Sequence, residues 1–254
     1  MLEEFLNVNI FAFLLVFARI GTIFMTAPGF GEGFVTPRLR LSIALSVTFL
    51  ITQFVIDKLP LQPDSVIELL LLLTGEIVIG LIFGGALRIA LSALHIGGTI
   101  IAQQSGLAAA QFFDPAQMTQ GAVTSSFLTL MGMTMIFVTD IHHLFIQGTY
   151  ASYTLFEVGK LPPFGDLASL VSGFVAGSFK LGFQISAPFL VYGLTFYIGV
   201  GLINRLMPQV QIFFVAMPLQ IMLAFSIFAI TSGASIMWFL AYYEQIIMRF
   251  LGEI

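Results

Sequence analysis

Residues 204–211 read NRLMPQVQ. This short polar stretch, with one proline, lies between two long apolar blocks, residues 167–203 and 212–242. It is long enough to reverse a chain and too polar to continue either block. The two blocks therefore read as an αα-hairpin. The last Pro/Gly-rich break before the pair is EVGKLPPFGD (157–166). It places a seam near residue 165, with residues 1–165 as one part and 166–254 as the other.

The rest of the chain has the same character. Of its 254 residues, 58% are hydrophobic and only 9% are charged, and the mean hydropathy is +1.03. Soluble domains carry about 25% charged residues. A water-facing surface needs charge, so the chain is expected in a membrane or among apolar subunits. The net charge of −4 and nine scattered Lys/Arg exclude a clustered basic face for nucleic acid. The chain contains no cysteine, so disulfides, thiol catalysis and Cys-ligated metals are excluded.

Four further apolar blocks precede the hairpin, roughly at 5–27, 41–56, 66–95 and 122–146. A simple span needs about 20 apolar residues. The second block is too short for this, and the third and fifth are long and interrupted by charge. Long or broken helices and hairpins fit better than six plain spans. Pro28 and Gly29 close the first block, Pro37 opens the next, and DKLPLQPDS (57–65) is a loop. Period-two alternation is absent, which argues against a β-barrel. The first block, MLEEFLNVNIFAFLLVF, carries Glu3 and Glu4 where a signal peptide carries cations, and reads as a retained helix. The fold class is thus all-α and membrane-type.

Ionisable residues stand in or beside these blocks: Arg19, Glu76, Arg88, His95, Asp140, His142, His143 and Lys180. Such a group at the bilayer centre costs about 2.5–3.5 kcal/mol on insertion scales. Each is expected to face a partner, water or a neighbouring subunit, and the simplest arrangement is a structural salt bridge. In TDIHHLF (139–145), Asp140 and His143 are three apart and share a helix face, whereas His142 is expected to point elsewhere. A metal needs three or more converging ligands, so no metal or cofactor is expected here and these residues read as caps or anchors of a helix end at the water boundary. GLIFG (80–84) and GFVAG (173–177) are GxxxG spacings suited to close helix packing. No Walker loop, nucleophile elbow or HExxH is present, and no enzymatic chemistry is expected.

One stretch is unlike the rest. QQSGLAAAQFFDPAQMTQGAV (103–123) is rich in Gln, Ala and Gly. Gly106 and Gly121 permit hinge-like backbone angles, and Pro115 disfavours a helical Asp114. Phe112, Phe113 and Met118 are bulky and deformable. On these residues alone it reads as an amphipathic loop at the membrane interface.

FARIGTIFMTAPGFGEGFVTPRLRLSIALSV (17–47) resembles the opening of the FliR family, flagellar type III export-gate proteins related to the SctT proteins of injectisomes. The likeness continues through FFDP (112–115), HHL (142–144), KLGFQISAPFLV (180–191) and GLINRLMPQVQIFFVAMPLQI (201–221). The hairpin, with Lys180, Ala187-Pro188, Arg205 and Pro218, is also similar to FliQ. The resemblance implies a FliP-like part (1–165) and a FliQ-like hairpin (166–254). It implies assembly with FliP-like, FliQ-like and FlhB-like subunits in the bacterial inner membrane, within the flagellar basal body, as a gate for unfolded substrates. It implies that residues 106–121 are a pore plug, with Phe112 and Phe113 as its bulk. Arg19, Glu76, Arg88, Asp140, Lys180 and Arg205 would serve subunit contacts or buried charge. The alternative is a self-contained channel or secondary transporter, which intramembrane charge also suits.

Overall fold

The computed structural model describes residues 2–107, 123–160, 163–209 and 212–252. Among them the chain is mainly helical, without a strand. Seven α-helices follow one another: α1 (Leu2–Thr26), α2 (Pro37–Val55), α3 (Val66–Gln104), α4 (Val123–Val138), α5 (Ile141–Leu155), α6 (Phe164–Leu206) and α7 (Ile212–Leu251). A 3-10 turn, Ile56–Lys58, follows α2. The all-α expectation holds.

Proline and glycine set most boundaries. Pro37 occupies the start of α2, where its missing N–H costs nothing. Gly29 turns the chain after α1 with φ +85°, and a Cβ there would lie 2.6 Å from the Phe137 ring. Only glycine fits both demands. The apolar block at 122–146 is not one helix, however. It breaks into α4 and α5 with a bend of 77°. The break falls at Asp140, whose φ of 60° is left-handed. Aspartate tolerates that conformation, so the chain turns a corner with neither proline nor glycine.

Helices α3, α6 and α7 contain 39, 43 and 40 residues. At 1.5 Å per residue these are roughly 60 Å long, about twice the hydrocarbon thickness of a bilayer. Pro188 and Pro218 lie inside α6 and α7 without ending them. Among the described residues, four helices are long and apolar enough to cross a membrane, or five if the bent α4–α5 pair is one span.

The chain forms two compact units. One comprises Met1–Ile89, Phe137–Val175 and Tyr243–Ile254, and the other Ala90–Ile136 and Ala176–Tyr242. In the first, α1 meets α3 along the GxxxG of residues 80–84. A Cβ on Gly80 would meet the Arg19 carbonyl at 2.7 Å, and one on Gly84 would overlap the Thr26 hydroxyl. Helix α5 packs antiparallel to α1: Tyr153 reaches the Val16 carbonyl, and the Phe145 and Phe24 rings meet at 5.5 Å. Phe30 and Phe83 stack on Phe145, and Phe83 also contacts Phe250, which closes an aromatic core.

In the second unit the α6–α7 hairpin is visible. Tyr192 bonds Gln220, Phe189 meets Phe228, and Gly177 lies under Tyr242. Residue numbers rise on one helix as they fall on the other. Helix α3 runs along α6 through Ser92 with Ser178 and Gly97 with Gly182. Gly98 of α3 lies directly on α4, where a Cβ would overlap the Ser125 Cα and approach its nitrogen to 2.8 Å. Gly98→Ala should therefore cost about 1–3 kcal/mol, as overpacking does. Gly85→Ala, with open space within 4 Å of its Cβ, should be neutral or slightly stabilising. Thermal unfolding of the two variants in detergent checks this, and equal melting temperatures would contradict it.

Candidate functional site

Two polar constellations stand out in this apolar chain. The first is built on Arg19 and Glu76, which are fully buried. Arg19 Nε donates to Glu76 at 2.6 Å, and an Nη donates to the second carboxylate oxygen at 3.1 Å. The remaining donors reach the Ser152 carbonyl (2.9 Å), the Ser152 hydroxyl (3.4 Å) and the Phe156 carbonyl (3.1 Å). Every guanidinium N–H is thus used, and the Tyr153 ring lies 4.0 Å from its centre. The Gly159 amide bonds the same carboxylate. One ion pair ties α1, α3, α5 and the turn that follows α5.

The second constellation holds the end of α3. Gln220, 3% exposed on α7, donates its side-chain N–H to the Gln104 carbonyl (2.9 Å) and to the Tyr197 hydroxyl (3.1 Å). Its own carbonyl accepts from Tyr192 at 2.8 Å. Gln104 is the last residue of α3, so this bond satisfies a carbonyl that the helix leaves open. Just beyond it, Gly106 takes φ +77°, and a Cβ there would meet the Gln220 amide at 3.1 Å. Gly193 of α6 is covered by the Gln104 side chain. Three helices are thereby fastened where the chain leaves α3.

Other residues singled out in the sequence are dispersed. Arg88 is half-exposed, with Glu32 at 3.8 Å. His95 and Lys180 are exposed on α3 and α6, and Arg205 is exposed in the last turn of α6. Asp140 is exposed at the start of α5, as a helix-end anchor would be; its side chain caps no backbone amide and lies 3.6 Å from His143. His142 does not point elsewhere: the left-handed Asp140 brings all three side chains together. Phe112, Phe113, Asp114, Pro115, Met118 and Gly121 lie outside the described residues. Gln220 carries no charge, so the insertion cost that marks ionisable residues does not mark it. A glutamine inside the apolar block 212–242 was the available signal.

The fold and these constellations define a class: a helical membrane-type protein with long hairpins, whose buried charge is spent on holding helices together. Residues 10–246 match the model of the bacterial export proteins, family 1. The flagellar biosynthetic protein FliR of Caulobacter vibrioides is 37% identical over 231 residues, covering 91% of this chain and 92% of that protein. FliR of Bacillus subtilis is 32% identical, covering 84% and 83%. FliR of Aquifex aeolicus is 31% identical, covering 86% and 83%. The chain belongs to this family of bacterial export proteins, the FliR family.

Proposed function

We propose that this chain is a non-enzymatic subunit of the flagellar protein export apparatus of the bacterial inner membrane. It forms part of the pore for unfolded substrates, with FliP-like, FliQ-like and FlhB-like subunits around it. Besides family membership, one observation carries the reading. The long helices leave their apolar surface uncovered: within Val215–Leu251 only 11% of the most apolar stretch is buried by the rest of the chain. Ile230 and Met237 are 82% and 71% exposed. Helices twice the length of a span cannot be covered by lipid alone, so partner helices are needed. The antiparallel α6–α7 hairpin supports a FliQ-like part from residue 166, with residues 1–165 as the FliP-like part. Exposed Lys180, midway along α6, then faces a neighbouring subunit or the lumen.

Residues 106–121 act as the plug. An apolar constriction blocks ions by excluding water from a narrow lumen, and Phe112 and Phe113 supply the bulk. Phe112→Ala/Phe113→Ala should leave the complex intact and make the membrane leak to ions, whereas changes at Asp114 or Pro115 should leak less. Conductance of cells making the mutant complex, with complex yield measured alongside, is the test. A double mutant as tight as wild type in a normally formed complex would reject the plug. A monomer that transports a small solute in liposomes would reject the export reading altogether.

A further inference from the structure

The corner between α4 and α5 brings three metal-ligating side chains together. Asp140, His142 and His143 each offer one ligand atom, and these atoms all lie within 4.8 Å of one another. Three features beyond proximity set the group apart. Asp140 is the only residue other than glycine with positive φ among the described residues. Its carboxylate, at the position that normally caps a helix, makes no cap bond. The Nδ1 atom of His142 is buried without a hydrogen-bond partner, although buried polar atoms are ordinarily satisfied. The His142 ring is wedged between the rings of Phe137, at 5.4 Å, and His143, at 4.1 Å.

We infer that Asp140, His142 and His143 form a three-ligand site for a divalent transition-metal ion of the zinc class. Two imidazoles and one carboxylate suit zinc, cobalt or nickel rather than calcium or magnesium, which prefer oxygen donors. Small side-chain rotations bring three atoms at this spacing to the ligand distances such ions require. Water or a partner's side chain completes the coordination. The positive N-terminus of α5 opposes a cation, and the Asp140 carboxylate offsets this. Because Asp140 precedes α5 and both histidines lie in its first turn, the ion staples the left-handed residue to the start of the helix. The site is independent of the export reading.

The test uses the full-length chain, extracted in detergent on a tag without histidine and stripped with EDTA. Cobalt(II) is titrated and its visible absorption followed, with zinc competing. One cobalt per chain should bind with a dissociation constant in the micromolar range and be displaced by zinc. Affinity should fall at least tenfold in His142→Ala, His143→Ala and Asp140→Asn, and remain unchanged in His95→Ala. Asparagine keeps the left-handed conformation accessible, so Asp140→Asn separates lost ligation from lost fold. No saturable cobalt spectrum, or full binding retained by all three variants, overturns the site.

Discussion

Arg19→Met should nearly abolish accumulation of the protein in the membrane. Methionine keeps an unbranched apolar stem but is shorter than arginine, and it leaves the Glu76 carboxylate buried without its cation. Removing one member of a buried pair costs about 3–5 kcal/mol, a large part of the roughly 5–15 kcal/mol that holds a typical domain together. The loss is compounded because Arg19 also bonds the Ser152 and Phe156 carbonyls. Ser152 retains the Phe156 amide as a donor, but the Phe156 carbonyl loses its Arg19 bond, so the turn after α5 should loosen as well. Arg19→Met/Glu76→Leu removes both charges and should recover much of the stability. Glu76→Gln keeps an acceptor for Arg19 and should fall between. Immunoblots of membranes and melting temperatures in detergent read all three. If Arg19→Met accumulates like wild type, the buried pair is not what holds α1, α3 and α5 together.

The sequence showed that these groups were expensive, and it could not show that they were partners. Arg19 and Glu76 are 57 residues apart, and no local period connects them. What was legible was punctuation: Pro37, the loop at 57–65 and the break at 157–166 all fall where helices stop or start. The two GxxxG spacings had equal claims in the sequence but unequal fates. Gly80 and Gly84 both admit α1, whereas in the second pair only Gly177 is used, under Tyr242, and a Cβ on Gly173 would meet nothing within 4 Å. Such a motif states what a helix allows, and the neighbour decides whether it is used. The corner at Asp140 was invisible for a related reason. A left-handed aspartate is a minority conformation held by its surroundings, and without proline or glycine the apolar run 122–146 reads as continuous.

Gln220→Leu should separate assembly from closure. Leucine is close in size to glutamine and stays apolar among apolar neighbours, so the α6–α7 hairpin should form and the complex should be recovered in near-normal yield. The Gln104 carbonyl, however, loses its donor at 2.9 Å, and Tyr197, which is 45% exposed, can turn to water. Leaving a buried acceptor unsatisfied costs about 1–3 kcal/mol, and the part-buried Gln104 carbonyl should fall toward the lower end. That cost falls on the arrangement in which the end of α3 is seated against α7, with Gly106 lying on the Gln220 amide. On the proposed reading, the plug begins at Gly106, so its seated state loses stability relative to any unseated one. Each 1.4 kcal/mol is a factor of ten in that balance, so leak should rise by about one order of magnitude. Gln220→Glu should leak more, since an ionised carboxylate would face the Gln104 carbonyl oxygen with no proton to donate. Gln220→Asn, one methylene shorter, cannot reach both partners and should lie near Leu. The same conductance assay applies, with complex yield as the internal control. A tight Gln220→Leu complex beside a leaking Phe112→Ala/Phe113→Ala complex would leave the plug standing and show that Gln220 does not seat it. If Gln220→Leu instead prevents the complex from forming, the glutamine serves the hairpin itself, and the end of α3 is seated by Gly193 and the Gln104 side chain.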